Sequence, residues 1–128
     1  MELKSSKLLV AEALKEVNTI SPEEGLKKVN ENKCTLIDIR DANELQQTGK
    51  IKNSINISRG LLEFSMHPES AYVQNNNIDL NKEIVLFCAA GGRSALAAKT
   101  LKEMGYEKVS HIDGGFKLMV NSGFKVEK

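Results

Sequence analysis

Ile84-Val85-Leu86-Phe87-Cys88-Ala89-Ala90-Gly91-Gly92-Arg93-Ser94 is the stretch on which the fold turns. Its four consecutive apolar residues predict a strand of the kind buried on both faces of a parallel sheet. The small residues after Cys88 predict a turn, and Ser94 to Met104 carries a helical pattern with Ala97, Leu101 and Met104 on one face. Gly105 supplies the stop. Cys88 therefore falls at the carboxyl end of a strand, where open parallel sheets bind their ligands.

Strands and helices alternate on either side of this unit. Ser5 or Ser6 can cap a first helix, expected over 5–18, with Val10, Leu14 and Val17 on one face. Ser21-Pro22-Glu23-Glu24 is a second start, with a capping serine, proline at the first helical position and Glu24 completing a capping box. Leu26 and Val29 give that helix its apolar face. Thr35 to Ile39 reads as a strand, Asp41 to Gln47 as a short helical turn closed by Gly49, and Ser54 to Ile57 as a further strand. Residues 58–83 are the least legible. Gly60 to Phe64 suggests a helical turn, and Asn75-Asn76-Asn77 a loop. Lys108 to Ile112 reads as a strand, Gly114-Gly115 as a turn and Phe116 to Asn121 as a last helix. This alternation predicts an α/β domain, a mainly parallel sheet flanked by helices on both faces.

The 128 residues suit one domain with a core of its own, without disulfide or metal staples. Charges nearly balance, 18 basic against 17 acidic, and no stretch carries one sign, so nucleic acid is not an expected partner. No apolar run approaches the ~20 residues that cross a bilayer, so no membrane is expected. Met1 to Lys7 lacks the apolar core of a signal peptide, which makes a reducing cytoplasm the expected setting. Two cysteines make no disulfide framework, and a cysteine so placed is a candidate nucleophile.

The loop explains how Cys88 would react. The helix opening at about Ser94 offers unpaired N–H groups and a partial positive charge, both of which favour an anion. They also favour the thiolate, which is the nucleophilic form. Ala89, Ala90, Gly91 and Gly92 let successive amides curl inward as an anion-binding nest. Arg93 adds a permanent cation able to hold an oxyanion through two donors. Ser94 can cap the helix or donate its hydroxyl to the sulfur.

Other polar residues have structural readings. Asp38, Arg40 and Glu44 are expected to brace the sheet edge near the Cys88 loop. In that reading Arg40 pairs with Glu44 and Asp38 accepts backbone N–H bonds. Arg59 follows a strand, where it either helps attract anionic donors or is simply solvated. His67 and His111 are isolated, without metal-ligand spacing, and no metal is expected. His111 on a strand before a turn suggests a satisfied or solvent-facing ring, while His67-Pro68 belongs to the segment that could rim a pocket. Met104, Met119 and the N-terminal apolar stripe read as core. If the strands of Cys34 and Cys88 are parallel neighbours, ~16 Å of strand separates the sulfurs. A disulfide needs Cα atoms within ~7 Å, so none is expected between them.

The chain resembles the single-domain rhodanese family. The resemblance rests on Asp38-Ile39-Arg40-Asp41-Ala42-Asn43-Glu44, Gly49-Lys50-Ile51, the Cys88 to Ser94 loop and Asp113-Gly114-Gly115-Phe116, in that order. It covers about Ser21 to Gly123, a core of 21–123 within a single domain 1–128. Lys50 stands where the family often has His, and Phe116 where Trp is common. The resemblance implies a three-layer fold with a five-stranded, mainly parallel sheet. It implies a sulfurtransferase in which Cys88 takes sulfane sulfur from a small anionic donor such as thiosulfate or a persulfide. Cyanide, a thiol or a partner protein would then remove the sulfur. The amides from Ala89 to Ser94 would hold the persulfide or the departing sulfite, and no cofactor is implied. Two alternatives share the scaffold: a Cys-based phosphatase or arsenate reductase, and a non-catalytic interaction module. Four residues separate Cys88 from Arg93, one fewer than in tyrosine phosphatases, and no general acid accompanies the loop.

Overall fold

The computed structural model describes all residues from Met1 to Lys128. In chain order the strands are β1 (Asn18–Ile20), β2 (Cys34–Asp38), β3 (Lys50–Ile51), β4 (Ser54–Asn56), β5 (Glu83–Phe87), β6 (Val109–Ile112) and β7 (Val126–Glu127). The helices are α1 (Ser6–Leu14), α2 (Pro22–Asn30), α3 (Ala42–Thr48), α4 (Leu62–Ser65), α5 (Ala71–Asn76), α6 (Gly92–Glu103) and α7 (Gly115–Asn121). Five strands form one sheet in the order β1-β6-β5-β2-β4, and every neighbouring pair is parallel. β3 and β7 form a separate antiparallel pair.

The period-two alternation of the strands divides the core into two layers. Ile84, Leu86 and Cys88 join Ile37, Ile39, Val109, Ala97, Ala98 and Leu101 under α6, with Leu62 and Met66 beside them. Val85, Phe87, Leu36, Ile112 and Met119 form the opposite layer, against Leu26 and Val29 of α2. Each fully buried Leu or Ile here contributes about 1.5–3 kcal/mol over an exposed one. α6 owes its close seat on the sheet to Ala95, Ala97 and Ala98, all fully buried.

Several expectations need correction. The first helix ends at Leu14, and Asn18 to Ile20 leave it to form the edge strand β1 beside β6. Three residues are too few to show a period, so the strand was not legible. α1 buries Ala13, whereas Leu8, Leu9 and Leu14 are 40–45% exposed, because the helix lies across the outside of α6. Met104 is likewise exposed at the end of α6, although Met119 is core. Ser21 accepts the N–H of Glu24 at 3.1 Å, but Glu24 makes no return bond, so only half of that capping box forms. Asn75 and Asn76 are the last residues of α5, and Asn77 ends it in the left-handed region. α6 begins at Gly92 and α7 at Gly115, each slightly earlier than expected. His67 lines a hollow with Tyr106, Leu80 and Asn81, at the amino ends of β5 and β6 and so opposite Cys88.

Candidate active site

β5 delivers Cys88 to the carboxyl end of the sheet's central strand, and Gly91 turns the chain into α6 with a φ of +104°. The turn brings the loop back over its own sulfur. The N–H of Gly91 donates to Cys88 Sγ at 3.1 Å and the N–H of Ser94 at 3.3 Å. Ser94 Oγ lies 3.5 Å away. Cys88 is only 1% exposed, yet its sulfur is surrounded by donors and not by hydrocarbon alone. The N–H groups of Ala89, Ala90, Gly92 and Arg93 make no hydrogen bond within the protein and stay free for an anion. Ala89 and Ala90 are exposed, and Gly91, Gly92 and Arg93 are half-buried.

The Gly114-Gly115 turn holds this loop from beneath. Gly115 has a φ of +69°, and a Cβ there would stand 2.5 Å from the carbonyl oxygens of both Cys88 and Ala89. Only glycine permits that approach. The next N–H, of Phe116, donates to Cys88 O at 2.9 Å. The Phe116 ring in turn lies 4.1 Å from the Arg40 guanidinium, a cation–π contact.

Asp38, Arg40 and Glu44 do sit around this edge, with a different pairing from the one expected. Arg40 is bound to Asp38, not Glu44: its Nε and Nη2 donate to the carboxylate at 2.8–3.1 Å, both side chains being buried. Arg40 Nη1 donates to Thr48 Oγ1, which ties β2 to the end of α3. Glu44 instead accepts two bonds from Arg93, each 2.9 Å. The reason is reach. The strand ends at Asp38, so Arg40 folds back onto it, while α3 swings Glu44 over the start of α6. Arg93 beside Glu44 holds that carboxyl well below the usual carboxylate range, at about 2, with the N–H of Asp41 adding to the effect. Glu44 and the nearby Cys88 raise the Arg93 guanidinium in turn.

Arg59 is not at the sulfur. It opens a short 3-10 turn and donates to Glu63 at 2.8 Å and to Thr100 Oγ1 at 3.2 Å. Thr100 is eight residues into α6, about 12 Å along the helix from Gly92. Ser94 is not the cap of α6, a place taken by Gly91. Its hydroxyl instead lies 2.9 Å from His111 Nδ1, and His111 Nε2 lies 2.8 Å from Thr19 Oγ1. The contact with His111 was not foreseen. The available signal was that His111 and Val109 share a parity on one strand, which puts His111 on the α6 face. The side chains show no cluster of three or more His, Cys, Asp or Glu able to hold a metal. Both cysteines are free, and Cys34 is opposite Glu83 at the far end of β2. No helix is long and apolar enough to cross a membrane.

The arrangement can hold an anionic sulfur atom and a second anion beside it. Residues 21–122 match the family model described as the rhodanese-like domain. Among solved structures, the chain is similar to a protein of unknown function from Rhodopseudomonas palustris, described as a possible tyrosine phosphatase. That match has 36% identity and a TM-score of 0.85 over 99% of this chain and 97% of the other. It is also similar to the polysulfide-sulfur transferase homodimer of Wolinella succinogenes, at 34% identity and TM-score 0.74, over 94% and 85% of the two chains. A rhodanese-related protein from Thermoplasma volcanium matches at 26% identity and TM-score 0.67, over 86% and 97%.

Proposed function

This chain belongs to the rhodanese-like domain family, and we propose that it is a sulfurtransferase working through a Cys88 persulfide. In the first half-reaction the Cys88 thiolate attacks the outer sulfur of a donor such as thiosulfate. A Cys–S–S bond forms, the sulfur–sulfur bond of the donor breaks, and sulfite leaves with the electron pair. In the second, cyanide or a thiolate attacks the outer persulfide sulfur and departs as thiocyanate or a new persulfide, which returns the Cys88 thiolate. Splitting the transfer in this way makes two easier steps of one.

The observation that carries the reading is the pair of N–H groups, of Gly91 and Ser94, aimed at Cys88 Sγ. The unpaired amides of Ala89, Ala90, Gly92 and Arg93 supply donors for the persulfide and for departing sulfite. Resemblance to a polysulfide-sulfur transferase at 34% identity supports the same class of substrate. The acceptor is a small thiol or a partner protein, and two free thiols suit a reducing compartment such as the cytoplasm.

A phosphatase reading draws on one observation, the description of the Rhodopseudomonas relative. Two features oppose it. Arg93 turns its guanidinium onto Glu44, one bond from each terminal nitrogen, instead of toward the sulfur. The loop also holds only four residues between Cys88 and Arg93, a shorter cradle that suits a sulfane sulfur better than a tetrahedral phosphate ester.

Intact mass after incubation with thiosulfate decides among these. The expected result is a gain of one sulfur atom, absent in Cys88→Ala, and discharged as thiocyanate by cyanide. Phosphate release from an aryl ester without an adduct supports the phosphatase. Neither reaction identifies a non-catalytic module.

A further inference from the structure

Cys88, Ser94, His111 and Thr19 stand in one file that runs from the buried sulfur to the edge of the sheet. The topology builds it. His111 shares a strand face with Val109, the face covered by α6, and its register partner across β1 is Thr19. The first turn of α6 lowers Ser94 between His111 and the sulfur. Ser94 is fully buried and His111 is 1% exposed, whereas Thr19 is exposed.

The direction of the bonds follows from counting protons. Ser94 Oγ has one proton to give and lone pairs to receive others. Around it are His111 Nδ1 at 2.9 Å, Gly91 O at 3.2 Å and Cys88 Sγ at 3.5 Å. The carbonyl and a thiolate only accept. Were the serine proton spent on His111, the ionised sulfur would face the lone pairs of Oγ in a buried site. With the proton on Nδ1, His111 is the donor and the serine proton is released toward the sulfur. A hydrogen bond to an anion is roughly twice as strong as a neutral one, so the sulfur outcompetes Gly91 O. Thr19 Oγ1 can donate or accept, so it satisfies Nε2 in this tautomer.

We propose that His111 is a positioning residue for the nucleophile: its Nδ1–H donates to Ser94 Oγ, which turns the serine hydroxyl onto the Cys88 thiolate, while the Thr19 hydroxyl donates to Nε2. The role rests on Cys88 being the reacting thiol. Burial pushes the imidazole below its ordinary value, with Asp113 pulling the other way, which favours the neutral ring with one donor and one acceptor. The negative charges near the ring are Asp113 and, beyond Ser94 Oγ, the ionised Cys88 sulfur. β1 presents Thr19, α6 presents Ser94 and β5 presents Leu86 beside it.

The test is the ring tautomer together with the reactivity of the sulfur. Nitrogen-15 NMR at about pH 10, above the ordinary thiol value, should show His111 protonated on Nδ1 and bare on Nε2. The opposite tautomer overturns the proposal. Alkylation of Cys88 by iodoacetamide is read over pH in three variants. His111→Leu should slow it about tenfold at neutral pH, a loss that vanishes in alkali. His111→Asn, whose amide N–H replaces Nδ1–H, should stay within about threefold of the parent. Parental reactivity in His111→Leu, or equal loss in both variants, refutes it. Should His111→Leu fail to fold, Thr19→Val decides, since Thr19 is exposed: an approximately threefold slowing supports the role, and no change refutes it. Alkylation needs no sulfur donor. Failure to form a persulfide from thiosulfate would therefore sink the sulfurtransferase reading and leave the His111 result standing.

Discussion

Arg93 and Glu44, 49 positions apart, face each other through two parallel N–H···O bonds of 2.9 Å each. The pair bridges α3 and the first turn of α6 within a few residues of Cys88. It sets how much positive charge an incoming anion meets.

Removing the carboxylate should therefore help an anionic donor. Glu44→Gln is expected to lower the KM for thiosulfate about threefold, the scale of one half-exposed charge, and Arg93→Ala to raise it. Steady-state kinetics of sulfur transfer to cyanide reads both. An unchanged KM in the two variants would exclude Arg93 from donor attraction.

The same pair makes an acid-sensitive brace. The folded Glu44 carboxyl sits at about 2, below the ordinary carboxylate range, so its contribution to stability is complete above that range and is lost as the pH falls toward 2. Both side chains are partly exposed, which keeps the contribution small in salt. Carbon-13 titration of Glu44 should give a midpoint near 2, rising toward the ordinary carboxylate range in Arg93→Ala, where the Asp41 N–H still lowers it. An ordinary midpoint in the parent would mean the pair does not form in solution.

The two thiols should behave differently toward alkylating agents. Burial, with Glu83 next in importance, pushes the Cys34 thiol up to about 11. At about pH 8 iodoacetamide should modify Cys88 and leave Cys34 as the thiol. Peptide mapping distinguishes them. Preferential labelling of Cys34 would contradict the nucleophile assignment.

Arg40 and Asp38 are almost wholly buried, so neither tolerates the loss of its partner. Arg40→Ala should cost about 3–5 kcal/mol in urea unfolding, because it strands a buried carboxylate. A loss below about 1 kcal/mol would show that water reaches Asp38.

Gly115→Ala tests the support beneath the loop. The added methyl meets two backbone carbonyls at a φ of +69°. We expect destabilisation of about 1–3 kcal/mol and a fall in sulfur transfer greater than that in fold content. Full activity would show that the Cys88 loop does not depend on this turn.

Much of this architecture was readable in the sequence, and the exceptions share a cause. Ile84 to Phe87 declared a strand because four apolar residues in a row fit a position buried on both faces. Ser21-Pro22 declared a helix start because capping is local chemistry. Asn18 to Ile20 and Lys50-Ile51 stayed hidden because two or three residues carry no period, and their partners are distant in the chain. Cys88 and its loop were legible for the same local reason as the strand. Arg93 with Glu44, Arg40 with Asp38 and His111 with Ser94 were not. Spacing names the residues that a helix or strand end brings near, but the final choice of partner depends on how α3 and α6 cross.

The parallel pairing of β2 with β5 sets Cys34 against Glu83, five residues short of Cys88. An oxidant that converts Cys88 to a sulfenic acid therefore finds no resolving thiol in the same chain. Recovery must come from outside, through a mixed disulfide with a small thiol or with another protein.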